Sequence, residues 1–406
     1  MANSDNNKPS YISPLSNLGN SYGVSDYIIK DNYLYVACTT NNYIAIYDIT
    51  SPTSPSYVKT IVDSTYLLNV SRIAIIGNYL YATANNSSTS GYLSIIDISD
   101  PPNASLAAHL IDATYLYPIR GLDSSGNYLF VITSTGSNNG RFSIYDTTSN
   151  PLNPTRVRSM TGTTSPNYLN YPLDIKVVGN YAYIVNYTSQ RLCIFDVSDP
   201  SSAAIVGSVA PTSTLLRAVY VEGNYAYCCG ESVNNGISII DITDKANPTV
   251  IKEWTVGSST TWYGIWADTA NNLVYTAKYG YSTNSVQIWN IEDLDNVYQV
   301  NTFGPAYGGR LRYLGGRLYV ASPNSSIKHG CSADVDVYKY SGLITTAADI
   351  HALEMDTMDR VDTWSVSAGN YVIAPIYRSD QLHVIAVDSS TKQIMGYGEV
   401  TPIISE

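Results

Sequence analysis

Gly77-Asn78-Tyr79-Leu80-Tyr81 is the stretch from which the fold can be read. It sets a two-residue turn between two runs of strand-forming residues, and glycine and asparagine tolerate the positive φ that tight hairpins demand. The pattern recurs along the chain. Tyr33 to Tyr35 follow Asp31-Asn32, and clear copies begin at Gly126, Gly179, Gly223 and Gly369. Degenerate copies stand at Asn271-Asn272-Leu273-Val274-Tyr275 and Gly315-Gly316-Arg317-Leu318-Tyr319. Indexed on the second residue, the anchors fall at 32, 78, 127, 180, 224, 272, 316 and 370, in steps of 44 to 54 residues. An array of that period closes into a single body, which overrides the two or three domains that 406 residues would otherwise suggest.

The first unit reads as four strands: Tyr27 to Lys30, Tyr33 to Cys38, Tyr43 to Ile49 and Ser56 to Val62. Its third strand repeats at Tyr92 to Ile98, Arg141 to Thr147, Arg191 to Val197, Gly236 to Ile242 and Ser285 to Ile291, with looser versions at Asp334 to Tyr340 and Gln381 to Val387. Neighbouring positions in these strands are apolar, so both faces of each sheet must be covered. A turn rich in Asp, Ser and Pro follows, as in Ser99-Asp100-Pro101 and Ser198-Asp199-Pro200. The acids before it, Asp48, Asp97, Asp146, Asp196, Asp241 and Asp388, are one per repeat. Calcium needs six to eight converging oxygens, so these acids read as turn caps.

Four antiparallel strands in units of roughly 48 residues, apolar on both faces, match the blades of a β-propeller. The fold class is therefore all-β, a single propeller of four-stranded antiparallel blades, with eight blades expected and seven as the alternative. The units lack the Gly-His and Trp-Asp pair of WD40 blades. The hairpins Gly179 to Tyr183 and Gly223 to Tyr227, followed by Ile194-Phe195-Asp196-Val197-Ser198-Asp199-Pro200 and Ile239-Ile240-Asp241-Ile242, resemble the LVIVD-repeat propeller family. The resemblance runs from about residue 20 to 400, strongly in units one to five and weakly in six to eight, and propellers similar to this family are often seven-bladed.

The blades are expected at about 20–63, 66–112, 115–160, 168–209, 213–256, 260–303, 307–346 and 360–400, after a tail at 1–19. Within that tail Pro9-Ser10-Tyr11-Ile12 resembles the fourth-strand segment Pro55-Ser56-Tyr57-Val58, so a strand from the tail is expected to insert beside the last blade and clasp the ring. Residues 347–359 form an insertion after a polar loop, Ser322 to Ser332. Ala347 to Val361, with Ile350, Leu353, Met355 and Met358, predicts a short amphipathic helix, and the last unit then has strands near Thr363 to Ser367, Tyr371 to Pro375, Leu382 to Val387 and Gln393 to Glu399.

The formal charge is -11 and only 22 Lys and Arg are spread along the chain, which excludes nucleic acid as a partner driven by counterion release. Charged residues make up 14 %, so Asn, Ser, Thr and 37 Tyr supply the polar surface, as on secreted, adhesive and virion proteins. Met1 to Ser10 does not read as a secretory signal, and no run approaches the roughly 18 apolar residues of a membrane span. The expected location is a virion or other assembled surface structure, otherwise the cytoplasm. Of five cysteines, Cys38, Cys193, Cys228 and Cys229 fall in strands and read as buried thiols, and with Cys331 they form no paired framework.

In a propeller the first strand of each blade lies innermost, so residues just before the turn line the central channel or its mouth. Six or seven positions before the anchors stand Asp26, Arg72, Arg120, Asp174, Arg217 and Arg310, with Trp262, Tyr263, Trp266 and Trp364 nearby. Asp26, Arg72, Arg120, Asp174, Arg217, Arg310, Trp262, Tyr263 and Trp364 are the candidate ligand-binding residues of a channel mouth. They would take an anionic or carbohydrate ligand through arginines and aromatic faces. The competing reading is a ring of Arg and Asp that pair between blades. His109, His329, His351 and His383 show no metal spacing, and no nucleophile elbow or phosphate loop is present, so no catalytic residue, metal or cofactor is assigned. Three functions remain: a non-catalytic scaffold or recognition module that contacts a protein or glycan partner or copies of itself; a propeller enzyme acting on a glycan or lactone; and a cytosolic protein-interaction platform.

Overall fold

The computed structural model describes residues 10–14 and 23–303, apart from 40, 52–54, 87–89, 137–138, 163, 213–214, 232–235, 256–260 and 280–285, together with 310–314, 317–321, 335–339, 349–354, 360–365, 382–387 and 394–400; side chains are described between 23 and 311. The chain divides into two compact units, Lys8–Tyr340 and a second that contains Ser341–Glu406. The described residues form antiparallel four-stranded sheets and, apart from two short 3-10 turns, strands are their regular structure.

In the Lys8–Tyr340 unit the sheets succeed one another as the anchors predict. The innermost strands are Val24–Lys30, Arg72–Ile76, Ile119–Ser125, Pro172–Val178, Leu215–Glu222, Thr261–Asp268 and Leu311–Leu314. Each neighbours the next, and Arg317–Ala321, the second strand of the seventh sheet, lies against Val24–Lys30, so among the described residues this unit holds seven of the eight four-stranded sheets. The turns need a left-handed residue at their first position: φ is 55° at Gly77 and Gly126, 57° at Gly179 and Gly223, and 54° at Asp31. The asparagine that follows ties the hairpin to the third strand through its carbonyl. Asn78 O accepts from Ile98 N at 2.9 Å, Asn180 O from Val197 N at 2.8 Å and Asn224 O from Ile242 N at 2.9 Å.

Third strands are buried along almost their whole length. Tyr43, Ile44, Ala45, Ile46 and Tyr47 are all buried, with one side of the sheet packing in the core of the first blade and the other against the second. Successive cores repeat this between blades three and four and between five and six, and each fully buried aliphatic or aromatic side chain contributes about 1.5–3 kcal/mol. The acids that end the third strands cap their own turns. Asp48 Oδ1 accepts from Thr50 N at 2.7 Å, Asp97 Oδ1 from Ser99 N at 2.9 Å and Asp241 Oδ1 from Thr243 N at 2.8 Å. Asn290 does the same for Glu292 N at 2.9 Å in the sixth blade, so the role needs an oxygen and not a charge. Asp388 lies outside the described residues.

The tail strand exists. Ser10–Pro14 pairs antiparallel with Val335–Lys339 and takes the fourth place in the seventh sheet, beside Arg317–Ala321 and Leu311–Leu314. It thus closes the seventh blade and not the eighth repeat, because the free edge it completes is that of Val335–Lys339. In the Ser341–Glu406 unit the order is Arg360–Ser365, Asp349–Glu354, Leu382–Val387, Ile394–Val400. The helix expected over Ala347 to Val361 is therefore overturned where it can be followed: Asp349–Glu354 is a strand paired on both sides. Its alternation of Ile350 and Ala352 with Asp349 and His351 has the two-residue period of a sheet, and pairing on two edges outweighs the weak helical spacing. The segments Ser322 to Ser332 and Tyr371 to Pro375 lie outside the described residues.

Candidate functional site

The site is built on the entry ends of the seven innermost strands, where a local irregularity sorts the predicted residues into two layers. In five of these strands the ladder slips by one residue, at Ser25, Arg120, Leu173, Arg217 and Tyr263. A bulge of this kind leaves one residue unpaired and re-aims its side chain. Directly after it, on one common register six positions before the turn asparagine, come Asp26, Gly121, Asp174 and Ala218, with Arg72 and Arg310 at the same distance from their anchors. The expectation of charges six or seven residues upstream is this bulge and its neighbour.

The inner layer is bound together across the ring. Arg310, from the seventh blade, places Nη2 at 2.6 Å from Asp174 Oδ1 of the fourth and Nε at 3.6 Å from Asp26 Oδ1 of the first. Each carboxylate also holds the backbone of the next blade: Asp26 Oδ2 accepts from Ile73 N at 3.1 Å and Asp174 Oδ2 from Val219 N at 3.2 Å. Asp26 is only 1 % exposed. Burial opposes the Arg310 charge, but Asp174 and Asp26 outweigh it and hold the guanidinium above its ordinary pKa. Arg72 sits nearby with the opposite balance. Burial, reinforced by Arg310, pushes it down to about 10; its Nη1 donates to Ser71 O at 2.9 Å, and among the described residues its Nε has no hydrogen-bond partner.

The bulge layer is more open. Arg217 meets Glu231 Oε2 through Nε at 2.9 Å and Nη2 at 2.5 Å, and its guanidinium stands 5.0 Å from the Tyr187 ring and 5.2 Å from that of Tyr263. Burial pulls its pKa down, yet Tyr263 and Glu231 raise it above the ordinary value. Arg120 donates from Nε to Ser134 O at 3.1 Å and stands 5.2 Å from the Tyr171 ring.

Trp262 is corrected. It is fully buried among Tyr227, Ile239, Ile265 and Trp289 between blades five and six, because the bulge at Tyr263 turns the residue before it into the interface of the sheets. From this strand Tyr263, Gly264, Ile265 and Trp266 border the channel cavity, and Trp262 does not. Trp364 belongs to Arg360–Ser365 of the other unit, and its side chain lies outside those described. Asp123 and Lys176 were not in the predicted set, although they stand four positions before anchors 127 and 180, on the same side of their strands as the inner layer. Lys176 Nζ reaches Asp123 Oδ2 at 3.1 Å, and the same oxygen accepts from Val177 N at 2.8 Å. With Asp174 and Arg310 they border a cavity of about 250 Å³. Among the described residues no group of His, Cys, Asp or Glu is placed to hold a metal ion, and no helix is long and apolar enough to cross a membrane.

The LVIVD repeat is found at residues 23–63, 69–110, 171–211 and 217–256, which are blades one, two, four and five. No curated protein matches the sequence. Among solved structures, the Cps50 (Swd1) β-propeller domain of Myceliophteria thermophila is similar with a TM-score of 0.58 at 10 % identity, over 82 % of this chain and 99 % of that one. A protein from Lactobacillus plantarum has a TM-score of 0.57 at 10 % identity, over 94 % and 95 %. The WD40 β-propeller domain of Doa1 has a TM-score of 0.55 at 11 % identity, over 81 % and 96 %. At these identities the likeness carries the fold alone. A recurring Gly-Asn hairpin, four-stranded antiparallel sheets and the likeness to these solved propellers make this chain a β-propeller, in which four of the blades match the LVIVD repeat.

Proposed function

We propose that the protein is a non-catalytic scaffold or recognition module, a component of a virion or other surface assembly, whose rigid ring presents its loops to a protein or glycan partner or to further copies of itself. The observation that carries this reading is the position of Arg310 between Asp26 and Asp174. The two carboxylates that an acid and base pair would require are joined through one guanidinium, and each also fixes the adjacent blade. A glycosidase needs the substrate bond where this guanidinium lies. The charges of the channel thus support a holding role, in keeping with a surface whose polarity comes from Asn, Ser, Thr and Tyr.

The test is mass spectrometry of particles and filaments purified from the source cells. The protein is expected to sediment with such an assembly at a fixed stoichiometry and to remain through salt washes. Recovery solely as a free monomer in the soluble fraction would refute the assembly role.

A further inference from the structure

The channel keeps a cavity of about 250 Å³ that the ion pairs do not fill. Its volume lies just under the roughly 300–1,000 Å³ of pockets that take drug-sized ligands, so it suits one ring-sized molecule. Two kinds of wall meet there. Tyr263 and Trp266 of the sixth blade border it with apolar side chains such as Leu122 and Val219, and Asp123, Asp174, Lys176 and Arg310 border it with charge. Tyr263 is 39 % exposed and can be reached, whereas Trp266 is 6 % exposed and packs on Tyr275.

The charge balance decides the ligand. The lining holds two acids and two bases, Asp123 paired with Lys176 and Asp174 with Arg310, which also meets Asp26, so no excess of bases is there to draw an anion. The pairs nevertheless leave lone pairs on the carboxylates and N–H donors on Lys176 and Arg310, at fixed positions around the space. Hydroxyl groups are the complement of such a surface, since each both donates and accepts, while the C–H face of a sugar ring packs on an aromatic wall. We infer that the channel binds a neutral monosaccharide unit, held by hydroxyl contacts to the Asp123–Lys176 and Asp174–Arg310 pairs and stacked against the exposed ring of Tyr263, with Trp266 at the edge of the same cavity. This goes beyond the scaffold role and stands independently of it: an assembly protein with an empty channel and a sugar-binding protein outside any assembly are both distinguishable outcomes.

The experiment uses the full chain with D-glucose, D-galactose, N-acetyl-D-glucosamine and D-glucuronate, followed by tryptophan fluorescence and by saturation-transfer NMR. At least one neutral sugar is expected to saturate in the millimolar range and to bind more tightly than D-glucuronate. Tyr263→Ala is expected to weaken that sugar by at least about fivefold, in line with the loss of one aromatic contact. Trp266→Phe, which keeps an aromatic ring, is expected to retain binding by NMR while abolishing the fluorescence change. Three results would each overturn the proposal: no saturation by any neutral sugar up to about 100 mM; preference for D-glucuronate that fades with added salt; or a folded Tyr263→Ala protein with unchanged affinity.

Discussion

Asp174→Asn tests whether the ring is held across its channel. The substitution keeps the shape and leaves an oxygen for Val219 N, now 3.2 Å away, but removes the charge that Arg310 meets at 2.6 Å. Among the described residues Arg310 would then keep Asp26, at 3.6 Å, as its ion-pair partner. Breaking a buried ion pair by removing one partner typically costs 3–5 kcal/mol, and the lower end, about 3 kcal/mol, applies because Arg310 keeps a second carboxylate. Its side chain is also 22 % exposed, against 9 % for Asp174, which points to the same end of the range. An unfolding entropy of about 2.1 cal/mol/K per residue over Lys8–Tyr340 amounts to about 0.7 kcal/mol/K, so the midpoint should fall by about 4 °C. Calorimetry or thermal circular dichroism reads this directly, and a double-mutant cycle with Arg310→Met isolates the pair. A coupling of about 2 kcal/mol is expected. Additive effects in the double variant, with coupling below about 0.5 kcal/mol, would refute the claim that this pair braces the ring.

Four further outcomes follow from the fold. Removing the residues up to Pro14 takes the fourth strand from the seventh blade and exposes the edge of Val335–Lys339, so the shortened chain should melt earlier and self-associate on gel filtration. Cys38, Cys193, Cys228 and Cys229 are buried, and burial pushes the Cys193 thiol up to about 12, so Ellman's reagent at pH 8 should label at most one thiol in the native protein and all five after denaturation. Hydrogen bonds from Thr243 hold Asp241 below the ordinary carboxylate value of 3.8, a stabilisation present above that value and lost as pH falls through the lowered one. The melting temperature should therefore drop only below about pH 4, and Asp241→Asn, which repeats the cap of Asn290, should be tolerated at pH 7. A Cβ on Gly230 would lie 1.9 Å from Leu215 O, whereas one on Gly179 meets nothing, so Gly230→Ala should prevent stable folding while Gly179→Ala costs about 1–2 kcal/mol through its left-handed φ alone.

The parts of this molecule that were legible in the sequence are those decided within one repeat. The Gly-Asn turn requires a positive φ wherever it occurs, so Gly77, Gly179 and Gly223 mark the inner hairpins without reference to any other blade. Counting back from them locates Asp26, Arg72, Asp174 and Arg310. The pairing of those charges was not legible, because Arg310 and Asp174 are 136 positions apart and meet only once the ring has closed. Trp262 was misplaced for a different reason: a bulge of one residue reverses which face a side chain joins, and residue types in neighbouring repeats give no sign of where the slip occurs. Asp123 and Lys176 could have been found. They lie two residues beyond the inner layer on the same side of the strand, and only the restriction to positions six and seven hid them.

The need for acids in the channel follows from the sheet order itself. The innermost strand of a blade has no strand beyond it, so its outer edge offers N–H groups that pairing within the sheet does not reach. Asp26 supplies an acceptor to Ile73, Asp123 to Val177 and Asp174 to Val219, in each case from one blade to the next. A carboxylate placed there serves well as an acceptor, yet its burial is costly without a cation beside it. Arg310 answers for two of the three and Lys176 for the third. In a chain with charged residues at 14 %, the backbone edges of the ring thus account for the acids at these three positions. The cavity that results is lined by apolar side chains such as Leu122, Ile175 and Val219 as well as by the opposed charges of Asp123, Asp174, Lys176 and Arg310, and a ligand must match hydrogen-bonding groups and an aromatic ring, with net charge giving it no advantage.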